Sequence, residues 1–356
     1  MLSIITAGAI AMTITLFGTK FLIRFLVAKQ YGQFIRDDGP TEHHTKRGTP
    51  TMGGLIILIA VVLGYFGSHA IFSVRLSASG LLVLFLFVSL GMVGFLDDFT
   101  KIRRARSLGL NGKAKLILQG LIGVAFAYLS LQFPDHRGVT PASPFVSFLR
   151  DIPPLALPTI VAIVWMMFII AAFSNGTNLT DGLDGLLGGA ATMVFAAYAI
   201  LNIWQSNQWC GRASTVGPRC YEVRNPSDLA LLSMALAGAL FGFLWWNANP
   251  AKIFMGDTGS LAIGGGVAAM AIFTRTELLS VVIGGLFVAE AVSVVAQVGW
   301  FKMSGGKRLL RMAPLHHHFE AIGWGEITVV VRLWIMAGLA VAAGMGLFYT
   351  EWVAAS

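Results

Sequence analysis

Apolar residues fill this chain in long runs, and polar residues collect in the short breaks between them. A run of about 20 apolar residues is long enough for a helix to cross a bilayer. Ten such runs are predicted, at 2–28, 52–67, 77–97, 114–132, 158–174, 185–204, 228–246, 259–273, 278–300 and 326–348. The first lacks a basic start and a small-residue cleavage site, so it reads as a span rather than a signal peptide. No linker, low-complexity block or soluble-domain-sized insertion interrupts the pattern, and the halves show no convincing internal similarity. The expected fold is an all-α integral membrane protein, one domain over residues 1–356, built as a bundle of about ten transmembrane helices.

Composition agrees: 56% of residues are hydrophobic, only 12% are charged, and mean hydropathy is +0.75. A water-soluble domain needs nothing of the kind for its core. The net charge of +8 resides in short loops between spans rather than on a separate basic domain, which argues against nucleic acid and for anionic lipid or an anionic soluble substrate. Loops 29–51, 98–113, 247–258 and 301–325 hold roughly twice the Lys and Arg of the alternate set, so they are assigned to the cytoplasm and both termini to the outside. The only cysteines, Cys210 and Cys220, share one external loop, where an oxidising compartment would permit a disulfide.

Chemistry concentrates in the cytoplasmic breaks. GMVGFLDDFTK, residues 91–101, ends a lipid-like run with Asp97 and Asp98. A solvated helix end would explain the pair, but acids at membrane depth usually carry function. Adjacent helical residues point about 100° apart, so the pair suits two roles better than one shared proton. In SNGTNLTDGLDGL, residues 174–186, Asp181 and Asp184 would share a face with Asn178 if the segment is helical, and capping alone accounts for only part of this cluster. WWNANPAKIFMGDTGS, residues 245–260, holds Asn247, Asn249, Lys252 and Asp257. Asp257, Thr258 and Ser260 would cap the eighth span, while the oxygens together suit Mg²⁺, which often takes one or two carboxylates and leaves its other positions to water and phosphate.

The consecutive His316, His317 and His318 cannot all converge on one ion from a regular helix or strand, so they read as hydrogen-bonding groups for anionic oxygens rather than a zinc site. A loop patch, FIRDDGPTEHHTKRGTPTMGG at 34–54, contributes Lys46 and Thr51, and KIRRARSLGLNGKAK at 101–115 supplies cations including Lys101 and Lys113. Taken together, these groups point to a Mg²⁺-dependent reaction on phosphate at the cytoplasmic face of the bundle, where a soluble substrate and a lipid phosphate can both arrive.

GFLDDF, TNLTDGLDGL, NPAKIFMGDTGS and MAPLHHHFE, in this order over ten spans, resemble the polyprenyl-phosphate N-acetylhexosamine-1-phosphate transferase superfamily. MAPLHHHFE with HHTKRGTPTMGG points to its muramoyl-pentapeptide branch. The resemblance implies transfer of phospho-MurNAc-pentapeptide from UDP-MurNAc-pentapeptide to undecaprenyl phosphate, giving lipid I and UMP in the bacterial inner (plasma) membrane, the first membrane step of peptidoglycan synthesis. It further implies Mg²⁺ at Asp257, with Asn247 near the metal and diphosphate, Asp97 as the group taking the proton from the lipid phosphate, and Asp98 beside it. Asn178 and Asp181 match a uridine pocket, Phe254 an aromatic stacking on uracil, and Asp184 a required neighbour. Lys101 and Lys113 match cations near the phosphates, His316 and His317 histidines important for activity, and Lys46 and Thr51 a second patch. A homodimer is implied in the same way. The alternatives are a related transferase using UDP-GlcNAc and, from another class, a secondary transporter, whose acids would lie near the bilayer midplane.

Overall fold

The computed structural model describes residues 1–29, 31, 48–104, 109–212 and 220–354. In chain order the elements are α1 (Leu2–Ala28), α2 (Gly54–Phe72), α3 (Ala78–Arg103) and α4 (Gly112–Ser130), then β1 (Phe145–Ser147) and β2 (Asp151–Ala156). There follow α5 (Thr159–Thr180), α6 (Leu186–Asn207), α7 (Pro226–Asn247), α8 (Gly256–Phe273), α9 (Leu279–Ile283), α10 (Gly285–Met303), α11 (Leu315–Ala321) and α12 (Glu326–Ala354). Ten of these helices are long and apolar enough to cross a membrane, one for each predicted run. The ninth run is interrupted: Gly284 closes α9 and α10 starts at Gly285. A short antiparallel hairpin pairs Phe145 with Ala156 and Ser147 with Asp151; nothing in the apolar pattern announced it.

α8 is the axis of the bundle, buried from Thr258 to Phe273. Its surface is rich in Gly and Ala, which lets neighbouring backbones come close where no hydrophobic force separates helix from lipid. Gly54 of α2 packs on Gly259, and Gly94 of α3 packs on the Asp257 carbonyl; a Cβ added at either glycine would come inside 3.0 Å of α8 backbone atoms. From α5, Thr177 donates its hydroxyl to Ser260 O at 2.8 Å. Three helices thus hold the first turns of α8.

The two ends of the bundle differ. At one, the C-terminal end of α3, the N-terminal ends of α4 and α8 and the α5–α6 turn meet. At the other lie the hairpin, a Cys210–Cys220 disulfide and both chain ends. Ser68, late in α2, donates to Ser3 O at 2.7 Å, and Arg150 bonds the C-terminal Glu351 at 2.9 Å and Cys220 O at 2.6 Å.

Arg275 and Glu277 plug the disulfide end. Arg275 is buried and donates to Thr140 O and Pro141 O, each at 3.0 Å. Glu277 accepts from Ser147 N and Trp165 Nε1, also at 3.0 Å. Burial pushes the Glu277 carboxyl up to about 7, against the pull of Trp165, Ser147 and Arg275. An acid whose pKa is raised on folding favours the folded state while protonated in it, and that advantage fades as pH rises through the folded pKa. The melting temperature of the detergent-purified protein is therefore expected to fall by several degrees between pH 5 and pH 8, a slope that Glu277→Gln should flatten whatever it does to the absolute value.

Candidate active site

α3 continues past the predicted end of its run and carries Asp97, Asp98 and Lys101 on its last turns. Asp98 faces α8. Its Oδ1 accepts from Asp257 N at 3.2 Å, and its Oδ2 accepts from Thr258 N at 2.9 Å and Thr258 Oγ1 at 2.8 Å. The first amides of a helix have no partner within it and carry its positive end. No local side chain caps α8 as the sequence suggested; a carboxylate from another helix does so instead. Asp97 turns elsewhere, accepting from Leu110 N at 2.8 Å and pairing with Lys101 Nζ at 2.7 Å. The two adjacent acids thus differ in their backbone partners and share only Lys101.

Lys101 Nζ stands between three carboxylates, 3.2 Å from Asp257 Oδ2 and 3.5 Å from Asp98 Oδ1 in addition to its bond to Asp97. Asp257 is held on both oxygens: Oδ2 by Lys115 Nζ at 2.7 Å, Oδ1 by Asn178 Nδ2 at 2.9 Å. Asn178 also donates to Ser260 Oγ at 2.9 Å. One oxygen from each of Asp97, Asp98 and Asp257 lies within 4.8 Å of the others. Three ionised carboxylates against two ammonium groups leave the cluster one negative charge.

α5 ends at Thr180, so Asp181 and Asp184 lie on a turn rather than on one helical face. Asp184 is buried and accepts from Ala251 N at 3.0 Å and Asn249 Nδ2 at 3.4 Å, tying the turn to the segment before α8. Asp181 lies half-buried; burial and the carboxylates of Asp257 and Asp98 push its carboxyl up to about 8. Asn247 is buried with its amide donating to Ile253 O at 3.0 Å, so it shapes the loop. Half-buried Phe254 is strapped to the chain before α2, its N–H donating to Pro50 O at 2.9 Å and its carbonyl accepting from Gly53 N at 2.8 Å. Buried Thr51 lies on that same strap. Lys46 falls outside the described residues.

Lys113 is exposed at the start of α4, and it is Lys115, two residues on, that reaches the carboxylates. His316 is fully buried with Nδ1 3.1 Å from Glu290 Oε2, whereas His317 Nδ1 sits 2.7 Å from Glu320 Oε2. His318 accepts from Arg311 N at 3.1 Å. Neither Lys115 nor Glu290 was singled out from sequence. For Glu290 the signal existed, because an ionisable group within a membrane run calls for a partner.

The donor set fits a hard divalent cation: carboxylate oxygens of Asp97, Asp98 and Asp257 converge, and net negative charge remains. With a divalent cation bound, such a cluster would carry the positive charge that phosphates seek.

Residues 80–275 match a model described as glycosyl transferase family 4, and residues 46–58 match phospho-N-acetylmuramoyl-pentapeptide-transferase signature 1. The phospho-N-acetylmuramoyl-pentapeptide-transferase of Cutibacterium acnes is 60% identical over 354 residues, covering 99% of both chains. That of Paenarthrobacter aurescens is 60% identical over 366 residues, and that of Beutenbergia cavernae 55% over 359, each again covering 99% of both chains.

Proposed function

This chain belongs to the phospho-N-acetylmuramoyl-pentapeptide-transferase family, and we propose that it transfers phospho-MurNAc-pentapeptide from UDP-MurNAc-pentapeptide to undecaprenyl phosphate, releasing UMP and leaving lipid I. The observation that carries this reading is the set of three carboxylates around Lys101 with Lys115 alongside.

Two anions must meet for the reaction to occur, and Lys101 and Lys115 lower the cost of bringing them together. Asp97, fixed by Lys101 and Leu110 N, is placed to take the proton from the lipid phosphate. A phosphate's second pKa is about 6, so near neutrality this asks for no unusual base. The lipid phosphate oxygen then attacks the β-phosphorus of the UDP-sugar, a P–O bond forms, and the bond to UMP breaks. Asp257, anchored by Asn178 and Lys115, would hold Mg²⁺ with Asp97 and Asp98 close by. When bound, Mg²⁺ neutralises charge on the diphosphate. Asp98 keeps the first turn of α8 in place by capping it, and with it Asp257. Asn178, Asp181 and Phe254 are assigned to the uridine, Asp184 and Asn247 to the loops that carry them, and Lys46, Thr51 and Lys113 to the approach of the anionic substrates.

The acidic end is placed at the cytoplasm and both termini outside, in the bacterial inner membrane, as one transferase domain acting as a homodimer. The Lys and Arg bias of the loops supports that orientation, and so does a disulfide at the opposite end.

The test is UMP release by detergent-purified protein. Release is expected to require both substrates, to fall about 100-fold or more in EDTA, since a metal ion is worth several kcal/mol in such chemistry, and to return with added Mg²⁺. Release from UDP-GlcNAc instead would transfer the reading to the neighbouring branch, and no release with either donor from folded protein would remove it.

A further inference from the structure

α10 faces outward over most of its length, and its buried residues are Leu286, Phe287 and Glu290. A fully buried glutamate on such a helix costs free energy unless something specific meets it. What meets it is His316, itself wholly buried at the start of α11. Glu290 Oε2 lies 3.1 Å from His316 Nδ1 and 3.4 Å from the His316 backbone N, so one oxygen faces both the ring and the first turn of the helix. The far edge of the ring, at Nε2, rests on Gly182, where any added Cβ would collide with it. Gly182 lies between Asp181 and Asp184 on the turn assigned above to the nucleotide.

We infer that Glu290 is a positioning residue for the nucleotide side of the site: it fixes His316, and the His316 ring holds the Asp181–Asp184 turn by its Nε2 edge against Gly182. Buried at 0% exposure, His316 does not reach a substrate from this position; it acts by support. The inference rests on the proposed function, and it goes beyond it by separating donor binding from phosphoryl transfer. In a buried contact of this kind, removal of one member releases the other, and the two act as a unit.

The experiment compares wild type, Glu290→Gln, Glu290→Ala, His316→Asn and the Glu290→Ala/His316→Asn double variant, reading KM for each substrate and kcat, with UMP binding by calorimetry as a second readout. Glu290→Ala is expected to raise KM for the UDP-sugar about 10-fold and weaken UMP binding in parallel, a loss of about 1.4 kcal/mol. KM for undecaprenyl phosphate should stay unchanged, and Glu290→Gln, which preserves the shape, should recover most of the loss. The double variant should bind UMP no worse than His316→Asn. Equal losses in both substrate KM values, multiplicative losses in the double variant, or full UMP affinity in Glu290→Ala would overturn the inference. A wild type that releases no UMP would count against the proposed function instead, so the two failures are distinguishable.

Discussion

Asp257→Ala is expected to lower kcat for UMP release by about 10²–10³-fold, the scale seen when one preorganised charge-stabilising group is removed. The carboxylate meets Lys115 and Lys101 through one oxygen and Asn178 through the other. Without it, two ammonium groups lose their common anion. Asp257→Asn keeps the shape and the Asn178 side of the arrangement but removes the charge, and its loss should be nearly as large. Steady-state kinetics on protein that elutes as wild type does in gel filtration checks this. A variant retaining more than a tenth of the rate would show that Asp257 supports the fold and leaves the chemistry to other groups.

Gly94→Ala should act through packing. α3 meets α8 at Gly94 with no room for a methyl group, since the obstructing atom is the Asp257 backbone carbonyl, which cannot rotate aside as a side chain would. The helices must part, and the Asp98 bonds to Asp257 N and Thr258 N stretch as they do. The expected loss is about 1–3 kcal/mol or more of stability, the usual range for overpacking, together with most of the UMP release. Gly120→Ala is the matched control: the glycine lies within α4 with open space around its Cβ position, so the change should be neutral or stabilise by up to about 1 kcal/mol. Thermal melts of the two variants side by side decide the matter. Similar melting temperatures would mean that α3 and α8 tolerate separation.

The ten spans were legible because each must satisfy lipid for about 20 residues, a demand that leaves a long trace in composition. The shorter elements leave none. A hairpin whose strands cover Phe145–Ser147 and Asp151–Ala156 has too few residues, and two prolines, to print a period, and the break at Gly284 is hidden by apolar residues on both sides. At the site, residue types were readable and their phases were not. Lys113 and Lys115 are two apart on α4, so they point to different sides of the helix, and selecting between them needs the rotation of α4 about its axis. The Asp181–Asp184 spacing suggested a helical face, although Gly182, just past the α5 end at Thr180, is a stop signal that outweighs it. The cap of α8 came from Asp98, far away in sequence, which reasoning on a helix's own neighbours cannot supply.

Ser3 and Glu351 are both tethered at the disulfide end, so the described residues nearest each terminus lie away from the carboxylates. A fluorescent or affinity fusion at either terminus would stand a helix length away, about 30 Å for a 20-residue span. Such fusions can serve for purification, imaging or surface immobilisation without shading the carboxylate end of the bundle. An inhibitor screen on immobilised protein would present the acidic end to solution whichever terminus is attached.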